Sequence, residues 1–306
     1  MHPIGNMDVK NKVCIVTGSA QGLGKSFAKI LLNNEAKVCL ADLKQENSQK
    51  TLEEFENQYG AKKVCFIQCD VTKENEFESL FDKTEEYFGV DCIDILVNNA
   101  GVYENCGWRK CMEVNIIGVM IGTNIALKRM KLVQKTGEIV NTASLAGLIT
   151  GMGESMVGYC ASKHGVVAMT RTLSRDCGSH GVSIKAICPA FADTDMVSAV
   201  IKHSEGNVKK EVTMAIKERG LMTPDYVAEG FYKLVTECSN GDVIWSMPDT
   251  PYLVVPDDGE MKLLMLVLMA KALRKITGKD LITITQQRLF ILGLILVFLF
   301  IARFII

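Results

Sequence analysis

Short apolar runs alternate along the chain with longer segments of helical periodicity, and this alternation constrains the fold more than any other feature. The runs are rich in β-branched residues and bounded by turn signals, which is typical of strands buried on both faces. We predict strands at residues 12–17, 37–41, 63–68, 93–97, 137–143, 182–188 and 242–246. Strands that alternate with helices form a parallel sheet covered on both sides. The sequence therefore predicts an α/β fold with a doubly wound parallel sheet of about seven strands.

The chain is predicted to consist of a domain at 1–250, an amphipathic extension at 251–287 and a transmembrane tail anchor at 288–306. Residues 289–302 are apolar throughout, and Arg303 is close enough to the end to reach lipid headgroups. As a helix, 289–306 would span roughly 27 Å, near the thickness of an endoplasmic-reticulum bilayer. We therefore expect a single-pass anchor, with the catalytic domain facing the cytosol. The alternative is a buried or dimer-forming helix.

Residues 261–276 form a Met- and Leu-rich helical segment with a basic end. The segment could lie on a membrane surface, cover the substrate pocket or pack in a dimer. Together with the apolar tail, it suggests a lipophilic substrate that reaches the site from the bilayer.

Composition excludes several classes of function. The net charge is −1 and the pI is near 6.5, so there is no electrostatic basis for binding nucleic acid. The eleven cysteines have no metal-ligand spacing, and several lie in predicted core strands (Cys14, Cys39, Cys65 and Cys188). We interpret them as small buried side chains in a reducing compartment, and we expect no metal site.

A glycine-rich turn follows the first predicted strand and precedes a helical pattern. Its sequence from Thr17 to Gly24 has the spacing T-G-x-x-x-G-x-G, because Phe27 occupies the third glycine position of G-x-G-x-x-G. Glycines at such a turn let the backbone approach a pyrophosphate, which the start of the helix then binds. A plain turn without a ligand is the alternative interpretation.

The second predicted strand ends at Asp42, eighteen residues after Gly24. A carboxylate at this place accepts hydrogen bonds from both ribose hydroxyls and repels a 2′-phosphate, which favours NAD over NADP. Lys44 is close enough in sequence to weaken that preference. The alternative is that Asp42 only caps the helix that follows.

Tyr159 and Lys163 are four residues apart, so on a helix they lie on the same face. A cation beside a phenol favours the phenolate, and lowering a tyrosine pKa from about 10 to about 7 requires roughly 4 kcal/mol. A tyrosine with such a pKa can act as an acid/base catalyst at neutral pH. The pair alone is a weak signal, because chance pairs are common on solvated helices.

Taken together, the motifs resemble those of the short-chain dehydrogenase/reductase family over about residues 8–250. The resemblance rests on the glycine-rich turn, Asp70-Val71, Asn98-Asn99-Ala100-Gly101, Asn115, Ser144, Tyr159-x-x-x-Lys163, and Pro189 followed by Thr194. It implies a Rossmann-type fold, NAD as cofactor and oxidation of an alcohol. By analogy, it also implies a homodimer through the helices that hold Asn115 and Tyr159.

The resemblance also implies roles for individual residues. Tyr159 would be the general acid/base, and Lys163 would lower its pKa and hold the nicotinamide ribose. Ser144 would bind the reacting oxygen, and Asn115 would hold a water that links Lys163 to solvent. The cofactor-binding set would be Gly18, Ser19, Ala20, Gln21, Gly22, Leu23, Gly24, Asp42, Leu43, Cys69, Asp70, Val71, Asn98, Asn99, Ala100, Gly101, Tyr159, Lys163, Pro189, Ala190, Phe191 and Thr194, with Ser144 and Tyr159 contacting substrate.

Within that family the chain is most similar to the NAD-dependent branch that oxidises the 15-hydroxyl group of prostaglandins. The similar segments are residues 66–71, 144–148, 159–165 and 186–189. The loop at 149–158 is longer than in that branch and does not present its substrate-facing glutamine; Glu154 or Ser155 could substitute. Retinoid, steroid and isoprenoid alcohols therefore remain alternative substrates. A catalytically idle, membrane-tethered NAD-binding interaction protein is the alternative from another class.

Overall fold

In the part of the chain that the computed structural model describes, eight strands make up one sheet. The structure describes residues 7–150, 156–203, 209, 212–214, 216–217, 220–248 and 250–256. The strands are β1 (Val13–Thr17), β2 (Lys37–Asp42), β3 (Val64–Gln68), β4 (Ile95–Asn98), β5 (Gly137–Thr142), β6 (Val182–Pro189), β7 (Val243–Met247) and β8 (Thr250–Val254). Their order in the sheet is β3-β2-β1-β4-β5-β6-β7-β8. The first seven are parallel, so the predicted α/β architecture is confirmed.

The eighth strand was not predicted. β8 runs antiparallel to β7 at the edge of the sheet, with a register irregularity between Trp245 and Met247. The segment contains Pro251, and proline is a sequence signal against a strand because it cannot donate a ladder hydrogen bond and is tolerated mainly at sheet edges. Among the described residues, the parallel part of the sheet thus has seven strands, as predicted, and the antiparallel edge strand is an addition to it.

Helices connect the parallel strands. They are α1 (Gly22–Asn33), α2 (Gln45–Tyr59), α3 (Glu74–Phe88), α4 (Trp108–Met112), α5 (Val119–Leu132), α6 (Val157–Cys177), α7 (Asp195–His203) and α8 (Pro224–Glu237). A π-helical turn, Glu113–Gly118, joins α4 to α5. Turns of this kind often occur at functional sites, because they displace one side chain from the regular helical register.

The two faces of the sheet bury separate cores. In β1, Cys14 and Val16 pack into one cluster with residues of α1 and α8, whereas Val13 and Ile15 pack into another with residues of α3 and α5. Successive side chains of a strand point to opposite faces, so an apolar run without alternation is what a sheet covered on both sides requires. The four cysteines predicted in core strands are buried, as expected.

One helical stretch of the described residues, Trp108–Leu132, is long and apolar enough to cross a membrane. Half of its most apolar window is buried inside the protein. The stretch packs against the sheet and against α6, because Ile116 and Val119 share a core cluster with Val166 and Val167. We therefore interpret it as a core helix of the folded domain.

The chain divides into two compact units, Met1–Val255 and Pro256–Ile306. β8 ends at Val254, within the first unit, and the predicted domain boundaries stay a prediction. The predicted extension is described only as far as residue 256, and the predicted anchor at 288–306 lies wholly outside the described residues.

Candidate active site

A cleft opens where the order of the strands changes direction. β1 has β2 on one side and β4 on the other, so the loops after β1 and β4 diverge at the carboxyl edge of the sheet. Ligands of open α/β sheets bind at such a switch point. The cavity has a volume of about 620 Å³ and is lined by nineteen of the predicted cofactor residues: Gly18, Ala20, Gln21, Gly22, Leu23, Gly24, Asp42, Leu43, Cys69, Asp70, Val71, Asn99, Ala100, Gly101, Tyr159, Lys163, Pro189, Ala190 and Thr194.

The glycine-rich turn is held tightly against β4. Gly18 has φ of +64°, and a Cβ at Gly24 would lie 2.1 Å from the carbonyl oxygen of Gly18, so neither position has room for a side chain. Asn99 Nδ2 donates to the carbonyl oxygens of Thr17 and Gly18 at 3.0 and 3.1 Å. The cleft is therefore bounded by exposed backbone at the start of α1, which suits a pyrophosphate group.

Asp42 faces this turn from the end of β2. Its Oδ2 accepts from the amide of Ala20 at 3.0 Å, and its Oδ1 accepts from the amide of Lys44 at 3.0 Å. Helix α2 begins at Gln45 with Lys44 in the capping position and no side-chain cap. The capping interpretation of Asp42 is therefore wrong, and the carboxylate is left at the cleft wall where a ribose would bind.

Three predicted cofactor residues lie outside the cleft. Asn98 is buried and donates from Nδ2 to Thr123 Oγ1 at 3.1 Å and to Asn141 Oδ1 at 3.0 Å. It therefore joins the end of β4 to α5 and β5. Ser19 is buried, with Oγ 3.3 Å from the carbonyl oxygen of Ala41. Phe191 lines a second, smaller cavity. These side chains do not face the space that a cofactor would fill.

Ser144, Tyr159 and Lys163 meet at the wall of the cleft, as predicted. Ser144 follows β5. Its Oγ accepts from the amide of Ala146 at 3.2 Å, and its interaction with the phenol of Tyr159 favours the ionised form of that phenol. Lys163 lies one helical turn beyond Tyr159 in α6, with Nζ 5.8 Å from the centroid of the tyrosine ring. Its Nζ donates to the carbonyl oxygen of Thr142 at 2.8 Å. The helical spacing therefore brings the phenol and the ammonium together, and the end of β5 holds both.

Burial dominates the acid–base properties of this pair. It raises the pKa of Tyr159 to about 12, and the interaction with the Ser144 hydroxyl opposes this rise. Burial also lowers the pKa of Lys163 to about 8, because the charged ammonium is removed from water. The predicted lowering of the Tyr159 pKa toward 7 is thus not produced by the polypeptide alone, because desolvation outweighs the interaction with Ser144.

Asn115 lies in the π-helical turn and is fully buried. Its Oδ1 accepts from the amide of Val102 at 2.8 Å, and its Nδ2 donates to the carbonyl oxygen of Val102 at 2.9 Å. A Cβ at Gly101 would lie 3.4 Å from Asn115 Oδ1 and 3.6 Å from Lys163 Nζ, so all three groups border the same small space. Asn115 fixes the chain that follows β4, and its predicted role toward a water stays a prediction.

The smaller cavity, of about 60 Å³, adjoins the main cleft at Ser144 and Tyr159. Its other lining residues are Tyr103 and nine apolar residues: Leu145, Ala146, Met156, Pro189, Ala190, Phe191, Met196, Val197 and Val200. The rings of Tyr103 and Tyr159 are 6.2 Å apart at an angle of 60°. An apolar space with a hydroxyl and a phenol at one end suits a hydrophobic substrate with one polar group.

Some residues of the site were missed by the sequence analysis. Thr17 Oγ1 accepts from the amides of Asn99 and Ala100, both at 3.0 Å, and its place in the glycine motif was the available signal. Glu104 contacts the amide of Tyr159, and Asp195 accepts from Gln21 across the cleft at 3.1 Å. No local pattern marks these two acidic residues, because their partners are 55 and 174 residues away.

Comparisons with known proteins agree with this geometry. The family model "short chain dehydrogenase" matches residues 12–205. The 15-hydroxyprostaglandin dehydrogenase [NAD(+)] of Homo sapiens is 37% identical over 240 residues, which cover 76% of this chain and 88% of that protein. The (+)-borneol dehydrogenase 2 of Salvia officinalis is 30% identical over 204 residues, covering 63% and 69%.

Solved structures show the same fold. The crystal structure of levodione reductase superimposes with a TM-score of 0.70 at 27% sequence identity, covering 79% of this chain and 98% of that one. The fold, the glycine-rich cleft and the Ser144–Tyr159–Lys163 arrangement thus occur together with a family match over most of the first unit. The chain belongs to the short-chain dehydrogenase/reductase family.

Proposed function

We propose that this protein oxidises a secondary alcohol on a lipophilic substrate to a ketone, with NAD as cofactor and Tyr159 as general acid/base. The observation that carries the proposal is the position of Ser144 and Tyr159, which line both the main cleft and the apolar cavity. A substrate carbon held in the small cavity would have its hydroxyl beside the phenol. The cofactor would occupy the larger cleft on the other side.

NAD is the cofactor. The cleft fits a dinucleotide, because Gly18 and Gly24 leave the backbone free of side chains where a pyrophosphate would bind. The Asp42 carboxylate, which lines the cleft beside this turn, suits the two hydroxyls of an unphosphorylated ribose and repels a 2′-phosphate. Human 15-hydroxyprostaglandin dehydrogenase, which carries NAD(+) in its name, is the relative that supports this assignment.

The chain's own residues would handle the proton of the reaction. Bound NAD supplies the two-electron acceptor for the hydrogen that leaves the substrate carbon. Ser144 would hold the substrate oxygen in its alcohol and carbonyl forms, and the ionised phenol of Tyr159 would take the hydroxyl proton. Lys163, buried within one helical turn, would stabilise that ionised phenol once its ammonium is charged.

The apolar cavity and the relatives support a lipophilic secondary alcohol as the chemical class of the substrate. One relative is named for a 15-hydroxyprostaglandin and another for (+)-borneol, and both substrates carry a secondary alcohol on a largely hydrocarbon skeleton. Leu145, Met156 and Phe191 give the cavity apolar walls of the kind that contact such a skeleton, and its volume of about 60 Å³ has room for the part next to the hydroxyl-bearing carbon. Steroids with a secondary hydroxyl belong to the same class, whereas retinoid and many isoprenoid alcohols are primary and are alternative substrates.

Formation of NADH tests this proposal. Purified full-length protein, supplied with NAD and either a 15-hydroxyprostaglandin or (+)-borneol, is expected to produce NADH and the matching ketone, with NADP supporting a much lower rate. Glycerol serves as a polar secondary-alcohol control and is expected to give no product. Saturable NAD binding without turnover of any lipid alcohol would instead support an idle NAD-binding protein.

The proposal includes a membrane and a second copy of the chain as partners. The apolar sequence at 289–306 supports a tail anchor in the endoplasmic reticulum with the catalytic unit in the cytosol. Exposed apolar side chains on the helices of the site, Ile117, Met120 and Val157, support a homodimer.

We expect the full chain to resist alkaline carbonate extraction from membranes and to have a dimer's mass in detergent. Release of the protein by carbonate would contradict the membrane anchor. A monomer's mass in detergent would contradict the homodimer.

A further inference from the structure

The first turn of α6 is capped by a residue from a distant part of the chain. Met156 occupies the capping position and provides no side-chain hydrogen bond. Instead, Glu104 Oε2 accepts from the backbone amide of Tyr159 at 2.9 Å, across a separation of 55 residues. Glu104 is half-buried and belongs to a short 3-10 turn, Glu104–Cys106, in the connection between β4 and α4.

This contact satisfies a backbone amide that has no hydrogen-bond partner within the helix. The first amides of an α-helix have no partner within the helix, and they carry the positive end of its dipole. A carboxylate that accepts from such an amide is stabilised by both effects, and a charge-assisted hydrogen bond is stronger than a neutral one. Because the bonded amide belongs to Tyr159 itself, the cap fixes the backbone that carries the phenol.

Close packing makes the contact rigid. A Cβ at Gly158 would lie 2.9 Å from Trp108 Cβ and 3.3 Å from the carboxyl carbon of Glu104, so the first turn of α6 is pressed against the start of α4. The residue before Glu104 is Tyr103, whose ring lies 6.2 Å from that of Tyr159 and lines the apolar cavity. The same segment therefore contacts the tyrosine at its amide and near its ring.

We propose that Glu104 is a positioning residue for the reaction, which sets the direction of the Tyr159 phenol toward Ser144 and the substrate oxygen. The inference rests on the proposed dehydrogenase function. Glu104 does not act on the substrate, because its carboxylate contacts a backbone amide rather than the phenol. Its effect is on the fraction of molecules in which the phenol is correctly placed, and a displacement of about 1 Å can cost roughly 100-fold in rate.

The test compares two substitutions of Glu104 with a control substitution at the capping residue of another helix. Glu104→Ala removes the acceptor and is expected to lower kcat for a 15-hydroxyprostaglandin by about 10- to 100-fold, with KM for NAD unchanged. Glu104→Gln keeps an acceptor oxygen and is expected to stay within about threefold of wild type. The control is Thr223→Ala, because Thr223 Oγ1 caps α8 by accepting from the amide of Tyr226 at 3.1 Å. It is expected to lower Tm as much as Glu104→Ala and to leave kcat unchanged.

Amide hydrogen exchange supplies a readout that does not depend on turnover. The amide of Tyr159 is expected to exchange faster in Glu104→Ala than in wild type or Glu104→Gln. The proposal is overturned if Glu104→Ala keeps wild-type kcat, or if Thr223→Ala lowers kcat equally. It is also overturned if exchange at Tyr159 does not change. A wild-type protein that oxidises no lipid alcohol would refute the proposed function separately, and exchange at Tyr159 would then still decide whether Glu104 holds that residue.

Discussion

Replacement of Tyr159 by phenylalanine is expected to lower kcat for alcohol oxidation about 1,000-fold without weakening the binding of NADH. The change removes only the hydroxyl that would accept the substrate proton, and positioned general acid–base groups contribute roughly 10²- to 10⁴-fold. The ring would still fill its place against Tyr103, so the fold and the cavity are preserved. Steady-state formation of NADH measures kcat, and NADH fluorescence measures binding.

Tyr87→Phe is the matched control for this substitution. Tyr87 is half exposed, and its hydroxyl donates to the carbonyl oxygen of Ala61 at 2.8 Å, on an element that does not line the cleft. Its loss is expected to leave kcat unchanged. Wild-type turnover by Tyr159→Phe would exclude the phenol as the proton acceptor and would require another base.

The pH dependence of the reaction follows from the same phenol. Alcohol oxidation needs the ionised form, and burial raises the pKa of Tyr159 to about 12, so the ionised fraction increases as the pH rises from about 6 to about 8. We therefore expect kcat/KM of the wild type to increase over this range and kcat/KM of Tyr159→Phe to be nearly independent of pH.

Much of the fold could be predicted because its signals are local. The strands were recognisable as apolar runs, and the glycine motif was recognisable from its spacing, since Gly18 and Gly24 are required by backbone geometry at a single turn. Tyr159 and Lys163 are one helical turn apart, so their proximity needs only a helix. The strand β8 was missed because a proline at a sheet edge looks the same in sequence as a proline in a loop.

The predictions that were wrong or missing depend on contacts between residues that are far apart in the sequence. Asn98 ends β4 beside Asn99, yet alternate side chains of a strand point to opposite sides, and the structure directs Asn98 to Thr123 and Asn141. The pKa of Tyr159 depends on how fully the helix is buried, which the spacing of two residues does not show. Glu104 was missed because only the folded chain brings it to the first turn of α6.

A buried ion pair outside the active site leads to the largest expected change in stability. Lys185 in β6 and Glu138 in β5 are almost completely inaccessible to solvent, and Lys185 Nζ lies 2.9 Å from Glu138 Oε1. The same ammonium donates to the carbonyl oxygens of Leu234 and Val235 at 3.0 and 3.2 Å, near the end of α8. Lys185 therefore neutralises a buried carboxylate and also satisfies carbonyl groups at a helix terminus.

Glu138 is the member of this pair whose charged form is strongly disfavoured by burial. Burial raises the pKa of its carboxyl group to about 7, although the attraction of Lys185 lowers it. Because the folded-state pKa is higher than the unfolded one, this carboxyl group binds more protons in the folded state. Its contribution to stability is complete below the unfolded pKa and is lost as the pH rises through about 7.

Lys185→Met is expected to lower the free energy of unfolding by about 3–5 kcal/mol at pH 8, because it leaves a buried carboxylate without its partner. The loss should be smaller at pH 5, where Glu138 is already protonated in the folded state. Urea unfolding followed by circular dichroism at both pH values measures the difference.

The double variant Glu138→Leu/Lys185→Met carries no unpaired charge, so it should be more stable than Lys185→Met at pH 8. It still lacks the donor for the carbonyl groups of Leu234 and Val235. Equal stability of the single and double variants at pH 8 would show that the lost helix-end hydrogen bonds, rather than the unpaired carboxylate, determine the cost.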